Sequence, residues 1–184
     1  MSRIDASRPF LPVGIAVLTV SDTRALEDDR SGATLAERIE QAGHRLVSRK
    51  IVTDDVEAIR AVVRAWAGDE AVDVVITTGG TGFTGRDVTP EALEPLFEKR
   101  MDGFSEVFHR ISYDKIGTST IQSRATGGVL NATFVFVLPG SPGACRDAWD
   151  EILKAQLDYR HMPCNFVEIM PRLDEHLKRG AKPG

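Results

Sequence analysis

Apolar residues fall along this chain in two alternating rhythms. Val13 to Val20 is a short, nearly unbroken run rich in β-branched residues that stops at the polar turn Ser21-Asp22-Thr23, as a strand buried on both faces does. From Ser31 to Ala42 the spacing becomes helical. Leu35, Ile39 and Ala42 recur among Glu37, Arg38 and Glu40, and Gly43 closes the stretch. His44 to Val52 alternates as a strand, and Asp54-Asp55 then offers an N-cap to a helix carrying Ala58, Ile59, Val62, Val63 and Trp66. Val72 to Thr77 is the next predicted strand, followed by a glycine-rich loop that runs to Gly85.

Thr89-Pro90-Glu91 predicts a helix start, because proline at the first helical position loses no needed hydrogen bond and an acid there suits the helix dipole. That helix is expected to reach about Lys99. Phe104, Val107, Phe108 and Ile111 are spaced for a further helix within Met101 to Ala125, and Gly117-Thr-Ser-Thr120 breaks it into a polar loop. Val129 to Leu138 reads as one strand or as a hairpin turning at Leu130-Asn131-Ala132. Pro139 to Gly143 leads into a helix from Ala144 to Leu157, and no clear period follows Pro163, which predicts a surface extension. Strands alternating with helices at this spacing predict right-handed βαβ crossovers. The expected fold is α/β, a three-layer α/β/α arrangement around a mostly parallel sheet. It forms a single domain over 1–184 with its core in about 13–166 and a tail over 167–184.

Composition narrows the partners. The chain has 184 residues, 23 Lys and Arg against 27 Asp and Glu, a net charge of −4, and 42% hydrophobic residues. A domain of this size and balance builds an ordinary globular core, and the acidic excess argues against nucleic acid, whose binding needs a basic stripe. No apolar run approaches the ~20 residues of a membrane span, and no segment reads as a signal peptide. Cys145 and Cys164 lack CxxC spacing and nearby histidines, which predicts reduced thiols in a cytoplasmic protein rather than a zinc or disulfide framework.

In a parallel sheet the carboxyl ends of the strands share one edge, and ligands bind in the crevice there. The polar and glycine-rich segments all follow strands: Ser21-Asp22-Thr23, Thr53-Asp54, Thr77 to Asp87, and Pro139-Gly140-Ser141-Pro142. Thr78, Gly79, Gly80, Thr81 and Gly82, with Gly85 beyond, form a loop able to bring backbone N–H groups against an anion, although a tight flexible turn would use the same glycines. It is neither a Walker loop nor a GxGxxG fingerprint. Asp54 and Asp87 would face this crevice, where paired carboxylates suit Mg²⁺ on substrate phosphates. The alternative is local: Asp54 or Asp55 caps a helix, Asp87 closes a turn, and Asp22 does the same after its strand. Ser123-Arg124 supplies a hydroxyl and a guanidinium suited to phosphate, or a surface arginine like Arg24, Arg86 and Lys115. His44, His109, His161 and His176 have no Cys or His at metal-ligand spacing along the sequence, and no GxSxG elbow supports a hydrolase.

Taken together, Leu18-Thr-Val-Ser-Asp22, Thr77-Thr-Gly-Gly-Thr-Gly82, Arg86-Asp-Val-Thr-Pro-Glu-Ala92, Ser123-Arg124 and Leu138-Pro-Gly-Ser-Pro142 resemble the MoaB/MogA family of molybdenum cofactor biosynthesis. The resemblance spans about Val13 to Phe166. Glu27-Asp-Asp29 with Ser31-Gly32, Gly117 to Thr120, Cys145-Arg146 before Ala148-Trp149, and Arg160 to Phe166 resemble the MoaB branch. What it implies is a molybdopterin adenylyltransferase that uses ATP and Mg²⁺ to give adenylylated molybdopterin and pyrophosphate. Asp54 and Asp87 fall on the acids needed for that activity and for the metal. Ser21, Asp22, Thr78 to Gly82, Ser123, Arg124, Pro139, Gly140 and Ser141 are the implied substrate contacts. Thr53 stands where a proline commonly precedes the acid and Gly85 where some relatives carry proline, and neither removes a charge or a donor. The family further implies a homo-oligomer, trimer or hexamer, with the Met101 to Ile111 stripe as the expected interface. Molybdopterin synthase and a molybdenum-inserting protein are the implied neighbours in the pathway. A non-catalytic molybdopterin binder is the alternative within the family. A competence-damage-type domain is a further one, disfavoured by the Thr-Pro-Glu-Ala and Ser-Arg motifs.

Overall fold

The computed structural model describes residues 3–175. In chain order its elements are β1 (Arg3–Ile4), β2 (Gly14–Val20), α1 (Arg30–Gln41), β3 (Arg45–Val52), α2 (Val56–Ala67), β4 (Val74–Thr78), α3 (Thr89–Leu93), β5 (Lys99–Arg100), α4 (Asp102–Ile116), β6 (Thr126–Leu130), β7 (Thr133–Leu138), α5 (Pro142–Ala148), α6 (Lys154–Gln156), β8 (His161–Met162) and α7 (Phe166–Ile169). Six strands form one sheet in the order β3-β2-β4-β7-β6-β5, and β1 pairs with β8 separately. The β2–β3, β2–β4 and β4–β7 pairings are parallel, while β6 runs antiparallel to both β7 and β5.

The continuous apolar runs divide their side chains between two cores. Ile15 and Val17 of β2, Val74 and Ile76 of β4, and Phe134, Phe136 and Leu138 of β7 point to one face, against Leu35 and Ile39 of α1, Phe104 and Phe108 of α4, and Trp149. The intervening Ala16, Leu18, Val75, Val135 and Val137 meet Ile59, Val63 and Trp66 of α2 and Leu93 of α3 on the other. Alternation in a strand sends successive residues to opposite faces, so an unbroken apolar run is what a sheet covered by helices on both sides requires. The three-layer α/β/α architecture follows.

Several expected boundaries move. The helix opened by Thr89-Pro90 ends at Leu93, short of Lys99, and tightens into a 3₁₀ turn over Glu94–Leu96. Pro95 is the physical reason, since it has no N–H to continue the helical hydrogen bonding and its ring crowds the preceding turn. Lys99 and Arg100 instead join the sheet edge. Val129 to Leu138 is the hairpin, with Asn131 and Ala132 both at positive φ (47° and 61°), as a two-residue turn of the favoured twist demands. The last long helix begins at Pro142 under a Ser141 cap and passes through one π turn, Trp149–Leu153, before α6. The expected surface extension is also corrected over 166–173. Phe166 packs 4.8 Å from Phe134 and 5.8 Å from Phe136 between ring centroids, and Val167, Met170 and Leu173 close over the same core. A helix of one turn leaves too short a period to read. His176 lies outside the described residues.

Candidate active site

The carboxyl ends of β2, β3 and β4, with the segment after β7, enclose a cavity of about 280 Å³. Ser21 and Asp22 follow β2, Asp54 follows β3, Gly79 and Gly80 follow β4, Asp87 closes the glycine-rich loop, and Gly140 follows β7. Thr23 and Arg24 complete the wall on the β2 side.

The three acids differ in how they are held. Asp22 takes both oxygens to Arg86 at 2.8 and 2.9 Å and accepts the Asp54 N–H at 3.0 Å. The Arg86 hydrogen bonds, then the Asp54 N–H, hold its carboxyl below the usual range. The helix cap of α2 is Asp55, which accepts the Ala58 N–H at 2.7 Å, so Asp54 remains on the cavity wall. Burial first, then the neighbouring Asp22 charge, push the Asp54 carboxyl up, Asp87 adding to the effect against relief from the Asp22 N–H and Arg86. Burial opposes ionisation of Asp87 too, but the Thr84 hydroxyl and N–H, the Gly82 N–H and the Arg124 charge outweigh it and hold this carboxyl low. Asp87 therefore closes its turn, through Thr84 at 2.6 and 2.9 Å, and also faces the cavity.

Gly79 and Gly80 are glycines for steric reasons. Their φ values are 107° and 63°, and a Cβ would lie 2.2 Å from Val20 O at the first and 2.3 Å from the Thr89 hydroxyl at the second. The expected N–H cradle over Gly79 to Gly82 is narrower than its sequence. Gly79 donates to Leu138 O at 3.0 Å, and the Gly82 N–H favours the Asp87 carboxylate. Gly80 and Thr81 are the residues of this run whose N–H groups take no acceptor among the described residues.

Seven of the sequence-predicted residues thus meet at the cavity: Ser21, Asp22, Asp54, Gly79, Gly80, Asp87 and Gly140. The remaining sequence-predicted residues are not part of its lining. Thr78 is buried and donates to Pro139 O at 2.8 Å. Ser141 caps α5 through the Ala144 N–H at 3.1 Å. Thr81 and Gly82 present their carbonyls to Arg124, which faces the loop and does not line the cavity. Ser123 Oγ is buried without a hydrogen-bond partner.

Two residues named in the sequence carry roles it did not assign. Arg24 lines the cavity and donates to Gly140 O at 3.3 Å, a position that its place in a polar turn did not distinguish from an ordinary surface arginine. Asp29, 1% exposed, accepts from Thr19 at 2.7 Å, Arg49 at 2.9 Å and the Gly32 N–H at 2.9 Å. It anchors the far end of the segment bearing Ser21 to Arg24. The Asp29-x-x-Gly32 spacing carried that signal, because a Cβ at Gly32 would lie 2.1 Å from Asp29 Oδ2.

No group of three or more His, Cys, Asp and Glu among the described residues could hold a metal by itself. Mg²⁺ shared with substrate phosphates needs only one or two carboxylates. Asp54, whose charge is opposed by burial and by two neighbouring acids, is the group a cation would relieve, so the donor set fits that mode.

Residues 16–159 match the family model described as "Probable molybdopterin binding domain". The chain is 52% identical over 166 residues to Molybdenum cofactor biosynthesis protein B of Escherichia coli K12, covering 90% of this chain and 96% of that protein. A crystal structure of a Molybdenum cofactor biosynthesis protein B superposes with a TM-score of 0.79 at 45% identity, over 82% of this chain and 94% of that one. The tungsten cofactor synthesizing protein MoaB from Pyrococcus furiosus gives 0.68 at 33% identity, over 93% and 98%.

Proposed function

The chain belongs to the MoaB/MogA family of molybdopterin-binding domains, and from that premise we propose that it is a cytoplasmic adenylyltransferase acting on molybdopterin and ATP. The observation that carries the reading is the meeting of Asp54 and Asp87 with Gly79 and Gly80 at one strand-end cavity. The terminal phosphate of molybdopterin is already ionised near neutral pH, so no base is needed to create the nucleophile. One of its oxygens attacks the α-phosphorus of ATP, the bond to the β-phosphate oxygen breaks, and pyrophosphate leaves. Catalysis of such a transfer is chiefly positioning and charge neutralisation. Asp54 and Asp87 would hold Mg²⁺, which when bound neutralises charge on the triphosphate. Gly80 and Thr81 donate backbone N–H groups to phosphate, and Arg24 offers a guanidinium from the β2 side.

The test is ATP labelled at the α-phosphate, mixed with purified molybdopterin and the protein. Label transferred to the pterin, with pyrophosphate release dependent on both substrates and on Mg²⁺, supports the enzyme. Pterin binding without transfer identifies a non-catalytic binder. In the same reading, molybdopterin synthase supplies the substrate and a molybdenum-inserting protein consumes the product.

The proposal includes a homo-oligomer, trimer or hexamer. Phe104 and Phe108 of the stripe serve the core, but Val107 is 47% exposed, with Tyr113 and Ile116 on the same helix. It borders an apolar groove of about 500 Å³ shared with Met101, Ile152, Ala155 and Phe166. Sedimentation that finds only monomers overturns this part.

A further inference from the structure

We propose that Arg124 is a positioning residue for Asp87, acting through the glycine-rich loop rather than on a substrate phosphate; its kinetic consequence rests on the adenylyl-transfer reading above. All three guanidinium nitrogens are committed. Nε lies 3.2 Å from Thr81 O and 3.0 Å from Gly82 O, and Nη2 lies 2.6 Å from Gly82 O and 3.0 Å from Asp87 O. Nη1 is paired with Glu91, and the Arg124 backbone N–H adds a bond to Thr81 O at 3.1 Å. The Phe83 ring covers the guanidinium at 5.3 Å. Arg124 does not line the Asp54–Asp87 cavity; it borders a separate one with Pro90, Ser105 and Thr126.

The planar trans peptide converts these contacts into aim. A carbonyl and the following N–H point in opposite directions, so drawing Thr81 O onto Arg124 turns the Gly82 N–H the other way, toward the Asp87 carboxylate, which lies so close to Gly82 that a Cβ there would sit 2.9 Å from Asp87 Oδ2. The same guanidinium holds the Asp87 carbonyl. Asp87 is thus fixed from its backbone and from its side chain by one planar fork, an arrangement that five donors in rigid geometry can satisfy and a single ammonium cannot.

The experiment compares Arg124→Ala, Arg124→Lys and Glu91→Gln with wild type by amide hydrogen exchange and by adenylyl transfer. A positioning role predicts faster exchange over residues 81–88, with α1 and β2 unchanged, in both Arg124 variants. It also predicts a kcat loss of about 10–100-fold, the scale typical of residues that orient catalytic ligands. KM for ATP and for molybdopterin should stay within about threefold. Lys should not rescue. Glu91→Gln, which keeps the carbonyl contacts, should fall between. A raised KM with unchanged kcat and unchanged loop exchange would make Arg124 a ligand contact and overturn the proposal. If Arg124→Ala does not fold, Arg124→Lys decides by the same readouts. If wild type transfers no adenylyl group, the functional reading fails alone, because exchange over 81–88 still decides whether Arg124 holds the loop.

Discussion

Gly80→Ala isolates the steric logic of the site. The new Cβ would lie 2.3 Å from the Thr89 hydroxyl and 3.0 Å from Asp54 Oδ1, at a φ of 63°. The left-handed conformation costs a non-glycine residue about 1–2 kcal/mol. Pushing the Thr89 hydroxyl aside also breaks its 2.9 Å bond to Gly79 O, worth about 0.5–1.5 kcal/mol. The sum is roughly 1.5–3.5 kcal/mol, a fall in Tm of about 3–14 °C for a chain of this size. Thr89→Ala removes the obstructing oxygen, leaving the Thr89 Cβ at 3.4 Å, so Gly80→Ala in that background should cost only the conformational part, about 1–2 kcal/mol. Calorimetry on the double-mutant cycle should therefore show a coupling of about 1 kcal/mol. Gly85→Ala is the control within the same loop, since its Cβ meets nothing within 4 Å, and it should change stability by no more than about 0.5 kcal/mol. Additive effects of Gly80→Ala and Thr89→Ala, or an equal loss in Gly85→Ala, would refute the contact.

The adjacent acids after β3 should separate cleanly: Asp55→Ala should lose about 1 kcal/mol of stability, as a removed helix cap does, and keep turnover, whereas Asp54→Ala should abolish label transfer without a comparable fall in Tm. Chelating Mg²⁺ with EDTA should remove ATP binding measured by calorimetry, and retention of full affinity would count against a shared-cation site. Ala132→Gly should raise stability by about 1 kcal/mol in urea unfolding, because Ala132 sits at a φ of 61° in the hairpin turn where a side chain is strained. Burial lowers the His44 imidazole pKa, partly offset by the Asp158 charge, so the unfolded chain binds the proton first and stability should fall as pH drops below about 6.5. His44→Gln should flatten that slope in denaturation curves from pH 7.5 to about 5.

Strand and helix identity was legible wherever one period persisted long enough to be read. The β2 and β4 runs were readable because burial on both faces leaves few polar positions. The expected helix from Thr89 ran through Pro95 without taking it as a stop, and α7 went unread because four residues hold barely one turn. At the site, strand-end position brought together Asp22, Asp54, Gly79, Gly80, Asp87 and Gly140, a consequence of topology alone. What could not be read was the direction of each polar group. Ser141 and Arg124 carry the right chemistry for phosphate, but the choice between the Ala144 N–H and a ligand, or between loop carbonyls and a ligand, is decided by angstrom-scale placement.

Charge within the cavity gives the acidic chain a specific meaning. Asp22 is neutralised by the bidentate Arg86, which leaves Asp54 and Asp87 facing Arg24. A wall with two carboxylates against one guanidinium repels a polyphosphate on its own, and the backbone N–H groups of Gly80 and Thr81 carry only partial charges. In the adenylyl-transfer proposal a divalent cation would change the sign of that balance, since two carboxylates and a phosphate would then share it. Asp22 keeps Arg86 from cancelling the other two acids: with Arg86 engaged at 2.8 and 2.9 Å, their charge would remain available to the proposed metal rather than being spent on an internal ion pair.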